Sequence, residues 1–205
     1  MEPINLNHQH VKDQEIDVHN KSNLCHKLSH GLVMENSILN FKVSGRGIIM
    51  AQSRFYNCTF NFKTKMQYPF TKVYFNGCTF TGRLESSEFG RRPWITSDEE
   101  KVKGDCIDCD FSQMKYANGI RFIDCDVERI KFPTGEHFVI KYPYKNIQAA
   151  QDSDMPGRLK RNFDPNWLMP TENALLYNFA EMAKRCDLPV DELKKQLAGI
   201  DFIEM

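Results

Sequence analysis

Asn57-Cys58-Thr59-Phe60-Asn61-Phe62-Lys63 returns twenty residues later as Gly77-Cys78-Thr79-Phe80, and twenty-one residues earlier it is preceded by Asn36-Ser37-Ile38-Leu39-Asn40-Phe41-Lys42. Two further versions follow, Asp108-Cys109-Asp110-Phe111 and Asp124-Cys125-Asp126-Val127. Each holds a polar residue or glycine, a small residue, one more residue and then a large apolar one. Self-similarity at a period near twenty is the signature of a repeat architecture, in which each unit buries its apolar face only by stacking on its neighbours.

Within a copy the small and large residues sit two apart, as in Cys58 and Phe60, or Cys78 and Phe80, and Phe55 and Phe75 fall five residues before Phe60 and Phe80. The local step is therefore five, and four steps make the period. A small residue two before a large one, repeated every five, resembles the pentapeptide-repeat family over residues 32–142. The resemblance implies a mainly β fold: a right-handed parallel β-helix with four faces per coil. Coils would stack about 4.8 Å apart, the spacing of neighbouring strands. The chain departs from the family pattern, with Phe for Leu and Cys for Ala. Glu85 stands where the step of five asks for an apolar residue, Cys78 to Cys109 is thirty-one residues, and Cys109 to Cys125 is only sixteen. The competing reading is an antiparallel β-sandwich of alternating strands.

Lys+Arg and Asp+Glu both number 27 in 205 residues, so no overall charge directs the chain to nucleic acid or to a membrane surface. The balance hides a gradient. Residues 35–83 carry seven basic residues against Glu35 alone, and residues 98–128 carry nine acids against four bases. No segment approaches the eighteen or so apolar residues of a membrane helix, and the N-terminus lacks the basic-then-apolar pattern of a secretory signal. Of the seven cysteines, Cys58, Cys78, Cys109 and Cys125 occupy the small inward position. They read as reduced, buried thiols, which implies a reducing, cytoplasmic compartment; export as an effector is the alternative.

The rest of the chain falls into four pieces. Residues 1–31, with five of the six histidines, read as a flexible N-terminal arm. His8, His10, His19, Cys25, His26 and His30 lack the spacing of a tetrahedral metal site, and Cys106-Ile107-Asp108-Cys109 is explained by the repeat, so no metal or cofactor is expected. Residues 83–104 read as a loop inserted into the repeats of 32–142. Residues 143–170, rich in proline, read as a linker that wraps the repeats with Phe163 and Trp167 as anchors. In 171–205, Thr171 reads as the N-cap of a helix carrying Leu175, Leu176, Phe179, Ala183 and Cys186. Pro189 opens a second helix with Val190, Leu193 and Leu197, and the pair forms an α-helical hairpin that caps the open end of the repeats. Its spacing also resembles a helix-turn-helix, with Asp187 where that motif wants glycine and Asp191 and Glu192 beside Lys194 and Lys195.

No nucleophile–base pair repeats with a geometric logic, so the expected function is non-enzymatic: an interaction module binding a protein partner. The resemblance implies the immunity-factor and effector-like proteins of bacteria. Arg91, Arg92 and Trp94, with Glu99 and Glu100, are the candidate contact residues, since an arginine pair beside a tryptophan is the composition of an interface hot spot. A homodimer through one end of the repeats is a further expectation. Two alternatives come from other classes. One is a nucleic-acid-linked regulator, acting as a DNA mimic or through Arg158, Lys160, Arg161 and the C-terminal helices. The other is a carbohydrate-active enzyme using Asp108, Asp110, Asp124 and Asp126.

Overall fold

The computed structural model describes residues 2–19, 25–92 and 104–205. In chain order the first strands are β1 (His10–Lys12), β2 (Glu15–His19), β3 (His26–Lys27), β4 (Val33–Glu35), β5 (Ile38–Lys42) and β6 (Ile48–Ile49). Then come β7 (Ser53–Tyr56), β8 (Thr59–Met66), β9 (Val73–Asn76), β10 (Thr79–Glu85), β11 (Glu88–Gly90) and β12 (Asp105–Ile107). The last are β13 (Met114–Asn118), β14 (Ile120–Ile123), β15 (His137–Lys141), β16 (Glu172–Asn178) and β17 (Ile203–Glu204). The helices are α1 (Ile147–Asp152), α2 (Gly157–Lys160), α3 (Phe179–Cys186) and α4 (Val190–Leu197). The fold is mainly β, and its sheets up to β14 are parallel, which excludes the antiparallel sandwich.

The repeat sets the pairing. One sheet runs β1-β4-β7-β9-β12 and a second β13-β10-β8-β5-β2. In the first, Met34, Phe55, Phe75 and Cys106 lie opposite one another; in the second, Leu39, Phe60 and Phe80 do. The first residue of each copy makes the corner. Asn36, Asn57, Gly77, Asp108 and Asp124 have φ of 47°, 52°, 65°, 50° and 54°, left-handed backbone that Asn, Asp and Gly tolerate best. At Gly77 a Cβ would lie 2.4 Å from the Asn57 side-chain oxygen one copy away. The small residue that follows turns inward and donates to the carbonyl two residues back. Ser37 bonds Glu35 at 2.7 Å, Cys58 bonds Tyr56 at 3.3 Å, Cys109 bonds Ile107 at 3.3 Å and Cys125 bonds Ile123 at 3.4 Å. Ser53 and Ser87, each after a left-handed residue, do the same.

The core is a lattice of phenyl rings. Rings from successive copies stack, Phe60 on Phe80 at 5.1 Å and Phe80 on Phe111 at 4.4 Å, and Phe89 stacks on Phe122 at 5.5 Å. Rings from adjacent sheets meet edge to face, as in Phe75–Phe80 at 76° and Phe111–Phe122 at 90°. Both arrangements suit the aromatic quadrupole. Phe55, Phe60, Phe75, Phe80, Phe111, Phe122 and Phe132 are all buried, as the repeat requires. The outward Glu85 has a local cause. Gly82, at φ 91°, passes so close to the neighbouring strand that a Cβ would sit 2.1 Å from the Phe62 carbonyl, and the register shifts there. Leu84 then takes the inward place.

Four expectations need correction. The described part of 1–31 is not an arm: β1, β2 and β3 pair in parallel with β4, β5 and β6, and Val18 and Leu28 are fully buried. Its histidines serve the fold. His26 accepts the Ile4 N–H at 3.1 Å and bonds the His19 carbonyl at 2.7 Å, while His10 pairs with Glu35. The insertion does not begin at 83, because β10 and β11 continue to Gly90. The 143–170 stretch is more than a linker: α1 and α2 bring Leu159 and Phe163 into a second core, whereas Trp167 is 80% exposed and anchors nothing. Residues 172–178 form β16, not a helix; α3 starts at Phe179, with the Asn178 side chain accepting from Glu181 N. Antiparallel β16 joins β14 to β15. Its Ala174 and Leu176 face the phenyl core, and its Leu175 and Tyr177 face the second core beneath α3 and α4. Burial on both faces produces the unbroken apolar run that reads as either strand or helix.

Phe60→Ala should lower unfolding free energy by about 3–5 kcal/mol in urea titration, because the ring touches its neighbours along and across the lattice. A variant melting within a degree of the parent would contradict the lattice. The thiols give a second test. Cys58, Cys78, Cys106, Cys109 and Cys125 are buried and unbridged, while Cys25 and Cys186 are partly exposed. Burial raises the Cys78 thiol to about 12 and the Cys106 thiol to about 11. A thiol reagent at pH 8 should label Cys25 and Cys186 first and the other five only in denaturant. Rapid native labelling of Cys106 or Cys109 would contradict this.

Candidate functional site

A third sheet runs β11-β14-β16-β15-β17. Phe89 and Phe122 point into the core from β11 and β14, so their neighbours Glu88 and Arg121, paired in register, point out. Glu172 opens β16 on the far side of Arg121. Four charges therefore alternate across the sheet. Arg92 donates to Glu88 through Nε at 2.7 Å and also through Nη2. The Arg121 guanidinium lies 3.7 Å from Glu88 and donates to Glu172 from both Nε and Nη2, the latter at 2.7 Å. Glu172 is only 2% exposed and also accepts the Met169 N–H at 3.3 Å. The Glu172 hydrogen bonds push the Arg121 pKa above its ordinary value.

Beside this chain opens a cavity of about 310 Å³, lined by Arg121, Arg161, Trp167, Leu168, Glu172 and Tyr177 among others. Trp167 stands out from its rim. A turn holds it, with its N–H bonded to the Asp164 carbonyl at 3.0 Å and its carbonyl reached by Arg121 at 3.5 Å. Tyr177 is 7% exposed, and its hydroxyl pKa is pushed up to about 12, first by burial and then by Glu172. A second cavity, of about 460 Å³, lies by Lys141, Tyr142 and Phe202, but its cation is committed to Glu128 and Glu204 at 3.0 and 2.9 Å.

Of the expected contact residues, Arg92 belongs to the charge chain, and Arg91 sits at the end of β11 with its N–H on the Ile123 carbonyl. Trp94, Glu99 and Glu100 lie outside the described residues. Arg121, Glu172 and Tyr177 were not legible as site residues. Arg121 and Glu172 are 51 positions apart, and only the sheet joins them. Trp167 left one signal, as a lone tryptophan in a proline-rich segment.

The acids proposed for carbohydrate chemistry have structural partners or roles. Asp108 pairs with Arg129, Asp110 lies 3.9 Å from Lys131, Asp126 caps a short helical turn through Glu128 N, and Asp124 makes a corner. Among the described residues, no group of three His, Cys, Asp or Glu side chains is placed to hold a metal, and no helix is long and apolar enough to cross a membrane. In α4, Lys194 lies 5.0 Å over the Phe179 ring and Leu193 and Leu197 are buried, so that helix turns one face inward.

Arg121→Met should cost about 3 kcal/mol in urea unfolding, because it leaves the Glu172 carboxylate buried without its cation. Arg121→Met with Glu172→Met should cost less than the Arg121→Met and Glu172→Met losses summed; a double loss equal to that sum would mean that the pair is not coupled. Searches against models of protein families, curated proteins and solved structures find no match for this chain.

Proposed function

We infer that this chain is a non-enzymatic protein-binding module, a right-handed β-helix of the pentapeptide-repeat kind, of the immunity-factor or effector-like type and working in a reducing cytoplasm. Support for the β-helix comes from parallel strands paired copy to copy, small-residue corners and phenyl ladders. One observation carries the function: Trp167, 80% exposed, stands at the rim of a cavity beside Arg121 and Arg161. Exposed tryptophan next to arginine is the composition from which interfaces draw most of their energy. The Glu88–Arg92 pair extends the row of charges that reaches this cavity through Arg121.

The test is affinity capture from the source organism with the parent, Trp167→Ala and Arg92→Ala proteins, with a melting curve for each. A protein retained by the parent should be lost or weakened by about 1–2 kcal/mol with Trp167→Ala, at a melting temperature within about a degree of the parent. Unchanged retention by Trp167→Ala and Arg92→Ala would move the site to another surface. Loss of binding only alongside loss of stability would assign these residues to the fold.

A further inference from the structure

We propose that the cavity beneath Trp167 is a receptor for one carboxylate carried on an apolar stem, a peptide chain terminus or a Glu side chain of the partner; the proposal rests on the interaction reading above and names what the partner inserts. Charge comes first. In the chain across the sheet two arginines, Arg92 and Arg121, are matched by two carboxylates, Glu88 and Glu172. Arg161 lines the same cavity and has no ion pair among the described residues, so the site carries one surplus positive charge.

Hydrogen bonding comes second. The Asn162 side-chain nitrogen is buried with no hydrogen-bond partner among the described residues, and Tyr177 lines the same cavity. Buried polar groups are rarely left so. The Arg161 guanidinium and the Asn162 amide N–H only donate, and the Tyr177 hydroxyl can donate as well as accept, so an acceptor is the one partner that suits all three. Donors of this kind bind a charged acceptor more strongly than a neutral one.

Shape and sign complete the argument. Leu168, Leu175 and the Trp167 ring form an apolar wall, which suits a hydrocarbon stem. Glu172 stays inside the cavity, so a dianion would meet repulsion that a single carboxylate, neutralised by Arg161, largely escapes. Phosphate is disfavoured on that ground.

The test follows the Trp167 indole N–H by NMR in the whole protein, assigned with Trp167→Phe. The probes are N-acetyl-leucine for a chain terminus, N-acetyl-glutamic acid α-amide for a side chain, N-acetyl-leucinamide as the neutral twin, and inorganic phosphate. One or both carboxylates should shift the indole saturably, with binding about tenfold weaker for the neutral twin and for Arg161→Gln. Tyr177→Phe should weaken binding without changing the melting temperature. The carboxylate that binds more tightly identifies the source. Equal binding of the neutral twin, equal binding of phosphate, or an unmoved indole would each overturn the proposal. If Trp167→Ala still loses the captured protein while no carboxylate binds, the carboxylate proposal falls and the interaction reading stands. If a carboxylate binds but Trp167→Ala retains the protein, the reverse holds.

Discussion

The structure depends on a corner two residues long. One residue takes left-handed backbone, which costs an ordinary L-residue about 1–2 kcal/mol and is relieved at Asn, Asp and Gly. The next turns its Cβ inward and returns a thiol or hydroxyl hydrogen bond to the carbonyl two positions back. The carbonyl it meets already accepts a backbone N–H from a neighbouring strand, so the side chain adds a second hydrogen bond to it, and a small side chain leaves the core to the large residue two positions on. Cysteine and serine do both. Repeating the corner fixes register, because the large residue two positions later is then always presented to the same point of the core.

Phenylalanine exploits that register. A flat ring stacked on its copy fills the space between strands, and a ring from the next sheet approaches its edge. The lattice accommodates irregular spacing along the chain. The thirty-one residues from Cys78 to Cys109 and the sixteen from Cys109 to Cys125 still deliver Phe80, Phe111 and Phe122 to one contact set. At Gly82, a position without a Cβ lets the strand pass close to Phe62 where the register shifts, and Leu84 stays on the inward face that Phe80 occupies.

A parallel stack ends with an unpaired edge, which invites association. Here antiparallel β16 covers the edge of β14 and carries β15 with it. The join also makes the candidate site. Glu172, at the start of β16, is buried against Arg121 of β14, and the segment leading into β16 lifts Trp167 over the gap. The site exists because parallel and antiparallel pairing meet within one sheet there, with the carboxylate of an ion pair buried at the seam.

The sequence alone determined the mainly β class, the repeat and its inward residues, because corner chemistry and phenyl burial are local demands that write themselves into every copy. Cys58, Phe60, Cys78, Phe80, Cys109 and Phe111 were all legible that way. It also announced α4 through Pro189 and its apolar stripe. Tertiary structure alone decided the rest. β1–β3 fold onto β4–β6 despite a polar composition, because parallel backbone pairing needs only a few inward side chains, here Val18 and Leu28, to seat them. Residues 172–178 became a strand because both faces found a core, and a run buried on two sides carries no period. The pairing of Arg121 with Glu172 beside Trp167 and Tyr177 left no local trace, because distant charges acquire a common environment only when the sheet brings them together.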